Sequence, residues 1–162
     1  MSQKDHKFQV SLSIKRDDGN AQVFYKQDGQ RFDNDITIKM KVQTSYKFLL
    51  TVRPSQKIKL ASLKGEELEM TSEEVNSEST NYAFEWNSNN IPVTKKNRRL
   101  SFNLILEIQN KGVLELPLQM KFYHATETNH SSWGKSLNSI EFNCLQKTGN
   151  SFIEILSTVY RS

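Results

Sequence analysis

Residue types that commonly catalyse reactions are few in this chain and are not spaced for catalysis. The sequence has one cysteine, Cys144, and it lacks the Gly-x-Ser-x-Gly motif that places a serine nucleophile on a sharp turn. His124 and His130 stand six residues apart without a cluster of cysteines or carboxylates at a zinc-binding spacing. The six glycines form no phosphate-binding loop. We therefore expect no enzymatic activity, no metal and no cofactor.

The charged residues are unevenly distributed along the 162-residue chain. It has 22 Lys and Arg against 18 Asp and Glu, a net charge of +4, but the stretch 64–78 holds six glutamates and one lysine. Two basic groups are candidates for contact with an acidic partner; they are Lys26 and Arg31, and the run Lys95, Lys96, Arg98 and Arg99. Such a run is more often a solvated loop than a phosphate site. Nucleic acid is not an expected partner, because its binders usually spread cations along one face.

Strands dominate the predicted secondary structure. Hydrophobic and polar residues alternate with period 2, which puts the hydrophobic side chains on one face of a strand. The alternation occupies residues 8–14, 36–42, 46–52, 82–86, 100–108, 114–122 and 140–144. Of these, 100–108 and 114–122 flank Asn110-Lys111-Gly112 and predict a long hairpin. Pro117 has no N–H for a ladder, so its strand should lie at an edge or carry a bulge there.

The segments between these runs are predicted from turn residues and spacing. Gln27-Asp28-Gly29 lies between 23–26 and 30–32 and predicts a tight hairpin, in which Gly29 supplies a positive φ. The polar stretches 64–80 and 87–99 predict long connections.

Hydrophobic residues near the C-terminus have a different spacing. Phe152, Ile155, Leu156 and Val159 fit one face of a helix, and Ser151 with Glu154 fits a capping box. This spacing predicts a short docked helix within residues 150–160, because so short a helix is marginal alone. A final strand is the alternative interpretation.

Together these elements predict one all-β domain over residues 1–162, an antiparallel β-barrel or β-sandwich with its core at about residues 8–145. The bulky hydrophobic faces should fill the interior. Cys144 alternates with Ile140 and Phe142, so we expect it to be buried. A lone cysteine and an N-terminus without a signal-peptide stretch indicate a cytoplasmic protein. No window holds 18 consecutive apolar residues, so we expect no direct membrane insertion.

Several multi-residue motifs between residues 8 and 144 are more specific than these patterns. They are Val23-Phe24-Tyr25-Lys26, Asp28-Gly29-Gln30-Arg31-Phe32, Thr37-Ile38-Lys39, Ser45-Tyr46-Lys47, Pro54-Ser55, Met120-Lys121-Phe122-Tyr123, His130, Trp133-Gly134, and Ile140-Glu141-Phe142 with Cys144. In order and spacing they resemble the cannabinoid receptor-interacting protein 1 family. The chain departs from that family at residues 124–129, where the family carries a basic stretch, at 64–80, and after Cys144.

The resemblance implies both a fold and a function. The fold would be a single antiparallel β-barrel with an apolar interior, similar in shape to the β-sandwich of Rho guanine-nucleotide dissociation inhibitors. The function would be that of a non-enzymatic cytoplasmic adaptor. It would bind the intracellular C-terminal tail of a type 1 cannabinoid-like G-protein-coupled receptor, modulate its signalling in competition with arrestins or G proteins, and reach the plasma membrane through the receptor. We expect a monomer.

A lipid-handling chaperone is the alternative hypothesis, because the dissociation-inhibitor shape could enclose the prenyl or acyl chain of a modified protein tail. Each buried CH₂ group would contribute about 0.8 kcal/mol, which requires a real cavity. The bulky residues predicted for the interior argue against such a cavity.

Overall fold

Fifteen β-strands and a short 3₁₀ helix, Gly29–Arg31, build the computed structural model, which describes residues 5–162. The strands form three sheets, and the range described contains no α-helix. The predicted all-β class is therefore confirmed. The alternating runs became strands because each can bury one face while its other face stays in contact with solvent.

The first sheet contains six strands and only antiparallel pairs among them. Its strands are β1 (His6–Arg16), β4 (Ser45–Arg53), β7 (Glu69–Val75), β8 (Thr80–Asn87), β14 (Ser139–Gln146) and β15 (Glu154–Arg161). Their spatial order is β15-β14-β1-β4-β8-β7.

The second and third sheets contain four and five strands. The second, in the order β11-β10-β5-β6, consists of β5 (Ile58–Leu63), β6 (Glu66–Glu67), β10 (Leu104–Ile108) and β11 (Gly112–Leu116). The third, in the order β13-β2-β3-β12-β9, consists of β2 (Phe24–Gln27), β3 (Ile36–Lys41), β9 (Leu100–Ser101), β12 (Gln119–Tyr123) and β13 (Lys135–Ser136). Strands β3 and β12 pair in parallel, an exception to the predicted antiparallel arrangement.

The long hairpin predicted over 100–122 is present, but it passes from one sheet into another. Strands β10 and β11 pair in the second sheet, and β9 and β12 pair in the third. Between them the Phe102 amide donates to the Leu118 carbonyl at 2.8 Å, which keeps the two halves of the hairpin together. Pro117 lies at this crossing, just after the edge strand β11, as its missing N–H predicts.

Hydrophobic side chains from all three sheets form one buried cluster. Trp86 is near its centre, with ring centroids 5.8 Å from Phe102 and 6.1 Å from Phe122. Cys144 is buried in the same cluster, as predicted, and burial raises the pKa of its thiol to about 12. The sheets pack as layers, and the strands in the described range do not close into a barrel, so the sandwich is the observed architecture.

The C-terminal helix prediction is wrong, and the alternative of a final strand is correct. Strand β15 pairs with β14 along its length and leaves Leu156 exposed, while Ile155 and Tyr160 pack against the core. Phe152, which precedes the strand, is also exposed. The edge of β14 offers hydrogen-bond partners to the β15 backbone. A helix of this length would gain too little from one apolar stripe to compete with that pairing.

Two of the predicted connections also need correction. The stretch 64–80 contains β6 and β7. Residue Glu73 of β7 lies opposite Tyr82 of β8, and this pairing gives β7 backbone hydrogen bonds on one side although all its side chains except Met70 are exposed. Residues 30–32 do not form a hairpin strand; they belong to a loop between β2 and β3 that includes the 3₁₀ helix. Gly29 has a positive φ of 69°, as predicted. The connection predicted over 87–99 is observed, since no strand lies between β8 and β9.

Candidate functional site

The predicted basic residues meet on the outer face of the third sheet. Strands β2, β3 and β12 alternate, so that Ile38 and Met120 point into the core and lysines stand on the opposite face. The register places Lys26 of β2 beside Thr37 of β3, and Lys39 of β3 beside Lys121 of β12. We call this surface, with the loops at its rim, the basic face.

A charged cluster at one end of the basic face, the Asp28 site, consists of Asp28, Thr37 and Arg99. The Arg99 guanidinium donates through Nε to Asp28 Oδ2 at 3.1 Å and to Thr37 Oγ1 at 3.1 Å. Thr37 in turn donates its hydroxyl to Asp28. The side chains of Arg99 and Asp28 are only 4% and 5% exposed, so this ion pair is buried.

Two further groups complete the Asp28 site. Gln119 donates to Thr37 Oγ1 at 3.0 Å, and Lys26 Nζ lies 3.4 Å from Asp28 Oδ1. Burial would raise the pKa of Asp28, but hydrogen bonds from Thr37 and Arg99 and the nearby cations outweigh it, so the pKa lies below its usual value. Asp28 is therefore ionised at neutral pH and compensates the buried charge of Arg99.

Phe32 connects the two predicted basic groups. The guanidinium carbon of Arg99 lies 4.4 Å from the centre of the Phe32 ring, and that of Arg31 lies 5.3 Å from it. Both distances fit cation–π contacts. Of the three aromatic residues in this part of the chain, Tyr25 is buried, and Phe24 and Phe32 are half-buried.

Lys95, Lys96 and Arg98 form an exposed turn at the rim of the basic face, the basic loop. The Arg98 amide donates to the Lys95 carbonyl at 3.0 Å, which closes the turn. The loop is anchored to β12 because the Thr94 amide donates to the Phe122 carbonyl at 2.9 Å. Its three cations are exposed and make no ion pair within the described residues.

The structure thus divides the six predicted partner-binding cations. Lys26 and Arg31 lie near the basic loop in space, although nearly 70 residues separate them in sequence. Arg99 differs from the other five, because its side chain is only 4% exposed and is paired with Asp28. Its bond to Thr37 also links the end of the loop to β3.

Lys39 and Lys121 also belong to the basic face and were missed by the sequence analysis. Partial burial and the nearby charges of Arg99 and Lys26 lower the pKa of Lys121, which places these cations close to one another. In the sequence, both lysines lie on the polar side of predicted strands. This position predicts that they face away from the core, but it does not predict that their strands are neighbours.

The segment 124–134 covers part of the basic face and is tied down by Lys39. Lys39 Nζ donates to the carbonyls of His130 at 2.8 Å and Trp133 at 2.6 Å. Burial, and repulsion from Lys26 and Lys121, lower the pKa of Lys39. Gly134 is required here because a Cβ atom would lie 2.5 Å from the Tyr25 carbonyl oxygen.

The motif residues of the sequence analysis divide between the core and this segment. Tyr46 and Phe122 are in the core cluster, and Tyr123 lies half-buried on the basic face. Trp133 is 61% exposed, and its ring centroid lies 5.0 Å from that of His130.

The chemistry available at this face is the binding of anionic groups. Among residues 5–162, no three His, Cys, Asp or Glu side chains are grouped so that they could hold a metal ion. No helix in that range is long and apolar enough to cross a membrane. Exposed ammonium and guanidinium groups around a rigid sheet can instead contact carboxylates or phosphates.

Comparisons with known proteins agree with the motifs. The family model described as CNRIP1, CB1 cannabinoid receptor-interacting protein 1, matches residues 4–160. The CB1 cannabinoid receptor-interacting protein 1 of Homo sapiens is 31% identical over 138 residues, which cover 83% of each chain. The proteins of the same description from Bos taurus and Mus musculus are each 30% identical with the same coverage.

Proposed function

This chain belongs to the CB1 cannabinoid receptor-interacting protein 1 family, and on that basis we propose that it is a non-enzymatic adaptor that binds the intracellular C-terminal tail of a cannabinoid-type G-protein-coupled receptor. In binding that tail it modulates receptor signalling. The receptor recruits it to the plasma membrane, where it competes with other proteins for the same tail. It acts as a monomer and needs no cofactor.

The observation that carries this proposal is the gathering of exposed cations on one face. Arg31 and the basic loop lie around the Asp28 site, and Lys26, which is 37% exposed, borders it 3.4 Å from Asp28 Oδ1. The glutamates of β7 lie at an edge of the other, six-stranded sheet. An acidic peptide is therefore attracted to the basic face and repelled from β7, which orients it during encounter.

The edge of the third sheet offers a second means of recognition. Strand β9 is an edge strand and begins directly after Arg99 and the basic loop. A tail segment that adds to this edge as a strand would form main-chain hydrogen bonds there. Its acidic side chains would then lie beside Lys95, Lys96 and Arg98.

Peptide titration tests this proposal. The probe is a fluorescently labelled peptide of a type 1 cannabinoid receptor C-terminal tail, titrated with the full chain at two salt concentrations. We expect saturable binding that weakens as salt increases, because exposed charge pairs are screened. The triple variant Lys95→Gln, Lys96→Gln, Arg98→Gln should bind at least about tenfold more weakly, equivalent to about 1.4 kcal/mol.

A matched triple variant provides the control for total charge. Lys7→Gln, Lys59→Gln and Lys147→Gln remove three exposed cations that lie outside the basic face, and this variant should bind within about twofold of the wild type. Absence of saturable binding would reject tail recognition. Equal weakening by both triple variants would reject the basic face as its location.

The lipid-chaperone hypothesis stays a prediction that the packing does not favour. The space between the sheets is occupied by the core cluster, including Phe48, Trp86 and Phe122, so an acyl chain would have to displace these side chains. Native mass spectrometry with a farnesylated peptide and its unmodified form separates the hypotheses. Uptake of only the farnesylated form would favour the chaperone.

A further inference from the structure

A cavity of about 240 Å³ opens at the other end of the basic face, away from the Asp28 site. Its wall is formed by the end of β1, the start of β2, strands β3 and β4, and the turn at Ser131–Ser132. Four lining residues have charged or polar side chains that could contact a ligand: Arg16, Lys39, Lys41 and Tyr46. The volume has room for several water molecules or a small anion. None of the lining residues is an aspartate or glutamate.

Lys41 is the central residue of this cavity. The residue as a whole is only 9% exposed, and within the described part of the chain its ammonium group has no hydrogen bond and no ion pair. The ammonium nitrogen itself is not buried, so the covered stem of the side chain brings it to the solvent-accessible space of the cavity. Arg99 is bonded to Asp28 and Thr37, whereas the Lys41 ammonium is open to a ligand.

Arg16 is a second cation in the cavity wall. Its Nε atom is buried and lies 3.4 Å from Asp18 Oδ1. Asp18 is 70% exposed at the surface, so water already solvates most of its charge. The Arg16 side chain is 27% exposed and its guanidinium makes no hydrogen bond within residues 5–162, so its terminal N–H groups keep donor capacity for a ligand inside the cavity.

Tyr46 adds a neutral donor. Its hydroxyl oxygen accepts the Lys41 amide at 2.7 Å, and no residue in the described range accepts its proton. Burial raises the pKa of Tyr46 to about 12 although the nearby Arg16 charge opposes this, so the phenol keeps its proton at neutral pH. Lys39 uses two of its three N–H groups on the His130 and Trp133 carbonyls and keeps the third.

We propose that this cavity binds the phosphate group of inorganic phosphate or of a small phosphomonoester, with Lys41 and Arg16 as the principal ligands and Lys39 and Tyr46 as additional donors. Three cations without a lining carboxylate match a dianion better than a monoanion, which favours phosphate over a carboxylate. The site is separate from the basic loop, so it does not depend on the function proposed above.

NMR titration of the full ¹⁵N-labelled chain with sodium phosphate at constant ionic strength tests the site. We expect saturable shifts confined to amides around the cavity, at residues 21–24, 39–41 and 131–132. Lys41→Met should weaken phosphate binding at least about tenfold, and Lys41→Arg should restore most of it. Lys95→Met, which removes an exposed lysine of the basic loop, should leave the phosphate affinity unchanged.

Further arms of the titration identify the ligand class. Acetate at the same ionic strength should bind at least about tenfold more weakly than phosphate; equal affinity would overturn the assignment to phosphate. Glycerol phosphate distinguishes the two sources of the phosphate group. Tighter binding than inorganic phosphate would indicate a phosphomonoester, and equal or weaker binding would indicate the free ion.

Linear, non-saturating shifts would show that the cavity is not a phosphate site. Equal losses of phosphate affinity in Lys41→Met and Lys95→Met would show the same. The dispersed spectrum of each variant confirms that it is folded.

Discussion

The two ends of the basic face hold positive charge in different ways. At one end, the Arg99 side chain is 4% exposed and its guanidinium contacts Asp28, Thr37 and the ring of Phe32. At the other end, the stem of Lys41 is covered, but its ammonium is accessible from a cavity without a lining carboxylate.

The difference separates charge that serves stability from charge that is available for binding. A buried ion pair with satisfied hydrogen bonds fixes the geometry around it and offers little to a ligand. A cation that reaches an open cavity and has no counterion stays available to an anion. The same strand, β3, contributes Thr37 to one end and Lys41 to the other, so its polar face changes from a structural to a ligand-accessible role over four residues, about 13 Å.

The largest expected effect is at the Asp28 site. Asp28→Asn should lower the free energy of unfolding by about 3 kcal/mol, because the Arg99 guanidinium would remain buried beside a neutral amide. Urea unfolding followed by tryptophan fluorescence measures this. Asp18→Asn, at an exposed position, should change the stability by less than about 0.5 kcal/mol. Equal effects of the two variants would mean that Asp28 is not the counterion of Arg99.

At the cavity end, removal of the Lys41 charge should act with the opposite sign. Lys41→Met should raise the free energy of unfolding by about 1 kcal/mol in phosphate-free buffer, because it removes like-charge repulsion from Arg16 and Lys39 around the same cavity and keeps a side chain of similar length. The same urea unfolding measurement applies, with Lys95→Met as an exposed control near zero. A loss of stability in Lys41→Met would reveal a stabilising partner of Lys41 and contradict the contrast between the two ends.

Acid should loosen the segment that covers the face between these ends. Glu127 accepts hydrogen bonds from the amides of His130 at 2.6 Å and Ser131 at 2.8 Å. Burial alone would raise the pKa of Glu127, but these hydrogen bonds outweigh it and lower the pKa to about 2 from its usual 4.5. Because the folded pKa is the lower one, the stabilisation is complete above about pH 5 and disappears as the pH falls towards 2.

Glu127→Gln tests this pH dependence. The variant should be less stable than the wild type by about 1 kcal/mol at pH 7, in the range of a lost capping interaction, and the difference should shrink between pH 5 and pH 2. Urea midpoints at pH 7, 5 and 3 give the comparison. A constant difference across this range would show that the Glu127 charge does not hold the segment.

The smallest expected effect concerns the ring of Phe32. Phe32→Leu should lower the stability by about 0.5 kcal/mol, because it removes the cation–π contact with Arg99 but retains a hydrophobic side chain. A double-mutant cycle with Arg99→Met isolates the coupling between the two side chains. A coupling energy near zero would mean that Phe32 does not stabilise Arg99 and that Asp28 and Thr37 alone hold it in place.

Much of the fold could be predicted from local patterns. The period-2 alternation predicted most of the strands, the burial of Cys144 and the edge position next to Pro117. The prediction for residues 152–159 was wrong because their spacing also fits a helix. They form a strand because the edge of β14 is available for pairing. The strand at β7 was missed because its side chains are exposed and its sequence lacks alternation.

The candidate site was only partly predictable. The sequence identified the charged run at 95–99 and the pair of Lys26 and Arg31, but it treated Arg99 like its neighbours. Nothing local distinguishes Arg99, since its carboxylate partner is 71 residues away in the chain. For the same reason Lys39, Lys41 and Lys121 were recognised only as the polar side of strands.

The sequence by itself determined the all-β class, the inward faces and the family, because alternation and motifs are properties of neighbouring residues. Tertiary structure decided which strands pair, including the parallel pair β3 and β12, and which cations are neutralised. Whether a buried charge has a partner depends on side chains that meet only after distant strands have paired. That is why Arg99 and Lys41 look alike in the sequence and differ in the folded protein.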